Sequence, residues 1–325
     1  MTALEPLCEF CMGVKLDPKY LSWGDLSEDV LGPASWIKSS SCPLCLLVKG
    51  VLYEEQRMAL DLVPRFFWDE RRVTLRWAGM LGPGERGIFK VNDGSQASIC
   101  FSGRRGANSI VHDACFLRQE VPRELEIRRV LGWLSACTTS HTDCKIEEST
   151  TFERAFPGLR VLRLIDVMQN CLIETRDLCE YAALSYVWGD VPNFKLNRAN
   201  KRELLVPGSV EKVWKILPRT IRDAIELTRR LGLVYLWVDT LCLSQNDADD
   251  LDLGVAVMDQ IFERAWLTII AACGHNAHAG LPGVREGSRK ALESPVEVKK
   301  GIWLGMYTEL DLLLRHSVYN SRAWT

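Results

Sequence analysis

The chain has 325 residues, of which 47% are hydrophobic and 25% are charged, a composition typical of a globular protein with two domains. Its 40 basic and 42 acidic residues leave a formal net charge of −2, which gives no electrostatic reason to expect nucleic acid or an anionic membrane as a partner. The sequence contains neither a signal-peptide pattern nor the roughly 18 uncharged apolar residues of a membrane span. We therefore expect a cytoplasmic protein whose 12 cysteines are reduced.

Two CxxC pairs in the first third of the chain predict a zinc site, because four thiolates can share one tetrahedral ion. The predicted ligands are Cys8, Cys11, Cys42 and Cys45. The later segment CTTSHTDC offers further candidate ligands in Cys137, His141 and Cys144. An interpretation without metal is also open, in which the second pair of thiols simply packs inward at the start of a helix.

The rest of the first part has the pattern of a small α+β region. Apolar residues at helical spacing predict a helix at Pro43–Met58. Short apolar runs divided by glycine-rich turn signals predict an antiparallel sheet over residues 72–103. A second amphipathic helix is predicted at 121–137, and the polar stretch 145–154 that follows it indicates a domain boundary.

We accordingly divide the chain into a Cys-rich α+β region, residues 1–150, and an α/β domain, residues 151–325. In the second part strands alternate with helices, which predicts a mainly parallel sheet flanked by helices. The predicted strands are 159–166 with a hairpin partner at 171–174, then 182–188, 233–238 and 266–272. Helices are expected at about 218–231 and 253–265.

Two of these strands end on carboxylates, Asp190 after YAALSYVWG and Asp239 after LVYLWV. In an open α/β sheet ligands bind outside the carboxyl ends of the strands, so the two residues are candidates for a pocket. Their presence is also ordinary turn chemistry. A different hypothesis is a magnesium-dependent phosphoryl-transfer enzyme in which both aspartates bind the ion, although the chain has no phosphate-binding loop.

Four blocks of the second part resemble the fungal heterokaryon incompatibility (HET) domain. They are YAALSYVWGD, LPRTIRDAIELTRRLGLVYLWVDTLCLSQND, MDQIFERAWLTIIAACG with AGLPGV, and SRAWT. The resemblance extends over roughly residues 178–325, and the preceding cysteine motifs are similar to the leader that often precedes such domains.

The resemblance implies a role in non-self recognition, in which proteins of this family trigger growth arrest or programmed cell death after incompatible fungal cells fuse, a form of innate immunity. It also implies a fold similar to the flavodoxin-like Toll/interleukin-1 receptor (TIR) domain, protein partners, and possible self-association. A third hypothesis is a zinc-stabilised interaction scaffold without catalytic activity.

By the same resemblance, a ligand-binding pocket is expected at the sheet edge. Its residues would be Ser185, Trp188, Gly189, Asp190, Asp239, Gln245, Asp247, Arg322 and Trp324. Some TIR domains cleave the nicotinamide–ribose bond of NAD with one glutamate, which makes NAD a possible substrate. The matching glutamate would follow SRAWT by about two positions, beyond Thr325, so we do not expect this chain to hydrolyse NAD.

Overall fold

A computed structural model describes residues 6–17, 21, 28–58, 72–78, 88–92, 97–103, 118–119, 122–141, 151–289, 295–308, 310–315 and 317–321. The chain divides into two compact units, the first formed by Met1–Val121 with Ala291–His316 and the second by Pro122–Lys290 with Ser317–Thr325. Among the described residues, no helix combines the length and the apolar character needed to cross a membrane.

The described helices and strands follow one another along both units. The helices are α1 (Glu9–Met12), α2 (Ala34–Ser39), α3 (Pro43–Met58), α4 (Ile127–Ser140), α5 (Phe152–Ala155), α6 (Lys201–Leu204), α7 (Ser209–Val213), α8 (Arg219–Arg230), α9 (Asp239–Cys242), α10 (Ala248–Ala256), α11 (Met258–Glu263) and α12 (Leu310–Arg315). The strands are β1 (Glu28–Pro33), β2 (Arg72–Trp77), β3 (Ile88–Val91), β4 (Ala97–Gly103), β5 (Arg118–Gln119), β6 (Leu162–Asp166), β7 (Cys171–Thr175), β8 (Tyr181–Tyr186), β9 (Tyr235–Trp237), β10 (Leu267–Ala271), β11 (Val296–Lys299) and β12 (Ile302–Thr308).

The first unit is built on a sheet with the strand order β1-β2-β3-β4-β12-β11. All neighbours along this path are antiparallel, and only the short β5 pairs with β4 in parallel. The antiparallel pairing predicted for residues 72–103 is thus confirmed. The sheet is larger than predicted, because β12 returns from late in the chain and pairs with β4 from Leu304 opposite Phe101 to Thr308 opposite Ala97.

Helix α3 supplies the other layer of the first unit and contacts β3, β4, β11 and β12. It occupies the predicted range, and its apolar stripe is buried. The buried stripe consists of Leu44, Leu47, Val48, Val51 and Leu52, each at most 2% exposed. Under the helix, the rings of Trp77, Phe89 and Phe101 meet edge to face with centroids 4.9–6.1 Å apart, a geometry that aromatic pairs favour.

The second unit contains a five-stranded sheet in the order β10-β8-β9-β6-β7. Strands β10, β8 and β9 are parallel, and β8 is buried along its whole length. Strands β6 and β7 form the predicted hairpin, and β6 joins the sheet antiparallel to β9. In the hairpin turn, the Asp166 carboxylate accepts hydrogen bonds from the backbone amides of Met168 and Gln169 at 2.9 and 2.7 Å.

The predicted fold class, a flavodoxin- or TIR-like mainly parallel sheet, is wrong. The first sheet is antiparallel along its main path, and the second is mixed, with three parallel strands and an antiparallel hairpin at one edge. The physical reason for the second departure lies in the connections. A tight turn can join only antiparallel strands, whereas the helical crossover through α8 makes β8 and β9 parallel.

Helix α8 has the predicted position and covers the second sheet. Its inner face is buried at Ile221, Ala224 and Ile225, and the helix is followed by Gly232 at φ 81°, a left-handed conformation that suits glycine. The helix predicted at 253–265 is instead two short helices, α10 and α11. The break lies at Val257, whose φ of −116° and ψ of 17° are not helical.

The limits of the compact units differ from the predicted cut near residue 150. Helix α4 lies in the second unit, where Ile127, Val130 and Leu134 pack against the core, while β11 and β12 lie in the first. A single cut near residue 150 would assign α4 to the first part of the chain, and β11 and β12 to the second part.

Candidate metal centre and sheet-edge pockets

The four cysteines of the two CxxC pairs come together in the first unit. Their Sγ atoms all lie within 4.8 Å of one another. The sulfur of Cys45 is 3.7 Å from that of Cys8 and 3.6 Å from that of Cys11. Cys11, Cys42 and Cys45 are buried and Cys8 is half-buried, so the group is closed towards solvent on most sides.

Both pairs occupy the same position relative to a first helical turn. Cys8 is the residue immediately before α1 and Cys11 is the third residue of that helix. Cys42 immediately precedes α3, and Cys45 is its third residue. The carbonyl of Cys42 accepts a hydrogen bond from the amide of Leu46 at 2.9 Å, which closes the first turn of α3.

The thiols of this cluster perturb one another strongly. Hydrogen bonds from Cys11 and Cys45 lower the pKa of the Cys42 thiol. Hydrogen bonds with Cys42 and Cys45, together with burial, raise the pKa of Cys11.

Two of the three alternative ligands lie within the described residues. Cys137 and His141 lie at the end of α4 in the second unit, and Cys144 lies outside the described residues. Within the part of the chain that the structure describes, the one group of three or more His, Cys, Asp or Glu side chains close enough to share an ion is Cys8, Cys11, Cys42 and Cys45.

The carboxyl ends of β8 and β9 bring several predicted pocket residues together in the second unit. The indole Nε1 of Trp188 donates a hydrogen bond to Oδ2 of Asp239 at 3.0 Å. The side-chain amide Nε2 of Gln245 donates to the backbone carbonyl of Asp239 at 3.2 Å. The ammonium group of Lys195 lies 4.7 Å from the centre of the Trp188 ring, within the range of a cation–π interaction.

A mainly apolar cavity of about 230 Å³ opens beside this contact. Its lining consists of Tyr186, Val187, Trp188, Asp239, Leu243, Gln245, Leu251, Val255 and Met258. The Tyr186 hydroxyl is hydrogen-bonded to Thr240 Oγ1 at 2.9 Å. Burial, and secondarily the charge of Asp239, raises the pKa of this tyrosine, so its hydroxyl stays protonated.

The loop that contains AGLPGV packs against the end of β8. The amide of Ala277 donates to the carbonyl of Trp188 at 3.0 Å. Gly189 has φ 67°, and a Cβ placed on it would lie 2.3 Å from Cβ of Asn276. Only glycine fits both the backbone conformation and this close approach. The neighbouring Asp190 is exposed and does not line the apolar cavity.

Side chains of helix α8 bind the loop that contains AGLPGV. Thr220 Oγ1 accepts a hydrogen bond from the amide of Gly280 at 3.0 Å. Asp223, only 2% exposed, accepts the amide of Leu281 at 2.9 Å and Nε of Arg285 at 2.7 Å. Helix α8 and the AGLPGV loop, about 60 residues apart in the sequence, are thus in direct contact.

The remaining predicted pocket residues are dispersed. Ser185 is buried in β8, and its hydroxyl lies 2.9 Å from the hydroxyl of Tyr319. Asp247 lines a different cavity, and Arg322 and Trp324 lie outside the described residues. Asp190 and Asp239 belong to no group of three or more clustered metal-ligating side chains among the described residues.

A second, charged cavity of about 300 Å³ was not predicted. Its centre is Arg163 of β6, which is 5% exposed. The Arg163 guanidinium forms a two-pronged ion pair with Asp250, donates to Glu174 at 2.8 Å and donates to the Cys242 carbonyl at 2.8 Å. The signal that could have revealed it is the arginine between apolar residues in the run LRLI of strand β6.

The acids of this charged cavity are held ionised by their partners. Burial opposes ionisation, but hydrogen bonds from Arg163 and from the amide of Ser244 lower the pKa of Asp250. Glu174 behaves likewise, because hydrogen bonds from Lys201 and Arg163 outweigh burial and lower its pKa. At the rim, Arg198 pairs with Asp247 at 2.9 Å and is far more exposed than Arg163.

Comparison with known proteins agrees with the resemblance found in the sequence. A family model described as heterokaryon incompatibility protein (HET) matches residues 181–325, which include β8, α8, β9 and the AGLPGV loop. This part of the chain is a HET domain. No solved structure matches the chain significantly.

A HET-related protein of a filamentous fungus is also similar. The chain is 28% identical over 94 residues to heterokaryon incompatibility protein 6, OR allele, of Neurospora crassa. The aligned region covers 28% of this chain and 14% of that protein. The match therefore concerns a small part of the relative, and this chain spans about one seventh of that protein's length.

Proposed function

We propose that this chain is a fungal incompatibility signalling module that responds to a protein partner marking non-self and triggers growth arrest or cell death. The single observation that supports the role is the HET domain at residues 181–325. Its matching blocks meet at one place, where Trp188 contacts Asp239 and the loop of Ala277. The pocket there is concave and mainly apolar with a few polar groups at its edge, which is typical of a small-molecule site.

The proposed ligand of the apolar cavity is the ring of a nucleotide, with NAD as the candidate. Tyr186 and Trp188 supply aromatic walls, and Asp239 and Gln245 supply polar groups at the edge. The volume of about 230 Å³ lies below the roughly 300–1,000 Å³ of pockets that enclose a drug-sized ligand. The cavity accordingly has room for one ring system, while the rest of the dinucleotide would lie outside.

The signalling role is tested by inducible expression of the protein in a fungal host, with growth and viability as readouts. We expect the wild type to arrest growth and Asp239→Asn, which alters the acceptor of the Trp188 hydrogen bond, to reduce the arrest. Asp252→Asn is the matched control, because Asp252 is exposed and lines neither cavity. Equal arrest by both variants, at equal protein levels, would contradict the role of this pocket.

Nucleotide binding is tested separately with the purified protein and NAD by calorimetry. Trp188→Ala should abolish the binding heat, and Trp133→Ala should leave it unchanged, because Trp133 lies on α4 with 64% of its surface exposed. Absence of NAD binding by the wild type would refute the nucleotide proposal and leave the signalling proposal standing. Product analysis of the same samples shows whether NAD is also cleaved.

A further inference from the structure

We propose that Cys8, Cys11, Cys42 and Cys45 bind one structural Zn²⁺ ion, and that this ion fastens the segment around α1 to the start of α3. The inference concerns the first unit and is independent of the signalling and nucleotide proposals. It rests on the geometry of the four sulfurs, on their closure from solvent and on the weakness of α1 by itself.

The sulfur positions are those of a single tetrahedral ion. With a Zn–S bond of about 2.3 Å, the sulfurs of a regular tetrahedron lie about 3.8 Å apart. The observed separations are 3.6 and 3.7 Å for two of the pairs, and none exceeds 4.8 Å. An iron–sulfur cluster distributes its four cysteines over two or four irons, and thiolates bound to different irons lie further apart than the 4.8 Å observed here. The spacing therefore favours a mononuclear ion as the occupant.

Disulfide bonds do not account for the cluster. A disulfide requires two sulfurs about 2.05 Å apart. Here Cys45 is nearly equidistant from Cys8 and Cys11, at 3.7 and 3.6 Å, so neither partner is preferred. All four residues are free cysteines. An arrangement in which one sulfur faces several others equally is expected when the sulfurs share a ligand at their centre.

The site has the properties of a structural rather than a catalytic metal centre. Four protein thiolates complete the preferred coordination of zinc and leave no open position for water or substrate. Three of the four cysteines are buried and belong to the core of the first unit. Cys42 immediately precedes the 16-residue α3 and Cys45 lies in its first turn, at the helix end where the dipole favours negatively charged ligands.

The segment that the ion would hold is too short to be stable alone. Helix α1 has four residues and no side-chain hydrogen bond at its N-cap, whereas isolated helices below about 12–15 residues are marginal in water. Val14 and Leu16 just after it are nevertheless buried in the core. Zinc bound to both pairs supplies the missing stabilisation, because binding free energy becomes folding free energy when the site exists only in the folded state.

The first experiment measures the metal content of the full chain purified under reducing, chelator-free conditions. We expect about one equivalent of zinc per chain, and intense visible absorption of the tetrahedral thiolate type after replacement by Co²⁺. Cys42→Ser should lose most of the metal. Cys273→Ser should retain it, because Cys273 is exposed and outside the cluster. Cys137→Ser should also retain it, which separates this site from the CTTSHTDC candidates.

A rescue variant keeps the test decisive if Cys42→Ser fails to fold. Cys8 is the half-buried ligand, so Cys8→His can preserve a Cys₃His site and should keep close to one equivalent of zinc, whereas Cys8→Ala should not. Less than about half an equivalent of zinc in the wild type would overturn the proposal. So would an equal metal content in Cys8→Ala and wild type, or iron in place of zinc.

Discussion

Arg163 offers the sharpest test of how the second unit is held together. The change Arg163→Gln removes a buried guanidinium that pairs with Asp250 and Glu174 and donates to the Cys242 carbonyl. Removing one partner of a fully buried ion pair costs about 3–5 kcal/mol. The side chains of Asp250 and Glu174 are 24% and 29% exposed and can be partly hydrated, so we expect a loss of about 2–3 kcal/mol.

For a unit of this size, such a loss lowers the melting temperature by roughly 4–12 °C. Urea unfolding followed by tryptophan fluorescence measures the free energy directly. Arg198→Gln is the matched control in the same cavity, since its side chain is 66% exposed and its ion pair with Asp247 is open to solvent. We expect this control to leave the unfolding midpoint almost unchanged.

The effect should depend on pH in a defined direction. The folded protein lowers the pKa of Asp250 and Glu174, so their contribution to stability is present above the unfolded pKa values of about 4 and is lost as the pH falls below them. The difference in unfolding free energy between wild type and Arg163→Gln should therefore be full at pH 7 and shrink below about pH 4.

Two outcomes would refute the reasoning about Arg163. The first is an equal loss of stability in Arg163→Gln and Arg198→Gln, because it would show that burial does not matter. The second is the absence of coupling between Arg163→Gln and Asp250→Asn in a double-mutant cycle, since residues that share an ion pair do not act additively.

Two further predictions concern the loop beside β8. Gly189→Ala should lower the free energy of unfolding by at least about 2 kcal/mol, because its φ of 67° and the approach of Asn276 both oppose a side chain. Gly208→Ala, with φ 79° and open space around it, should lower the free energy of unfolding by about 1 kcal/mol. Thermal unfolding of both variants measures the difference. Asp223→Asn should lower the free energy of unfolding by about 1–3 kcal/mol, because it removes the buried charge that binds Arg285 and the amide of Leu281. The same change should speed limited proteolysis within residues 272–284. Unchanged cleavage would contradict the proposed anchoring of the loop by Asp223.

Much of the local structure could be predicted from the sequence. Helices α3 and α8 follow from apolar residues at helical spacing, and the hairpin of β6 and β7 follows from two apolar runs around a short turn. These signals are local, because each depends on residues within one or two turns of the chain. The break at Val257 between α10 and α11 could not be predicted in this way, because the apolar spacing continues through it.

Strand pairing could not be predicted in the same way. Nothing local in residues 296–308 indicates that β12 pairs with β4, about 200 positions earlier. The mainly parallel sheet was inferred from alternation of strands and helices, but alternation does not reveal where a hairpin such as β6–β7 attaches. Sheet topology depends on long-range contacts that the pattern of one segment does not contain.

The candidate sites show the same contrast. The spacing of the two CxxC pairs predicts a metal site, and in the structure their four sulfurs lie close together. The charged cavity depends on Arg163 meeting Asp250 across 87 residues, a contact with no local signature. Asp247 follows Asp239 closely in sequence yet lines the other cavity, a separation that sequence distance does not indicate.

Because β12 pairs with β4, the segment that matches the HET family does not coincide with a compact unit of the structure. Residues 181–325 carry the match to the HET family, but β11 and β12 within them complete the sheet of the first unit, and β9 pairs with β6 from before the match. A fragment cut at residue 181 would expose the unpaired edges of β12 and β9, which are templates for aggregation. Any engineered exchange of HET domains between proteins must therefore carry strands from outside the homologous region.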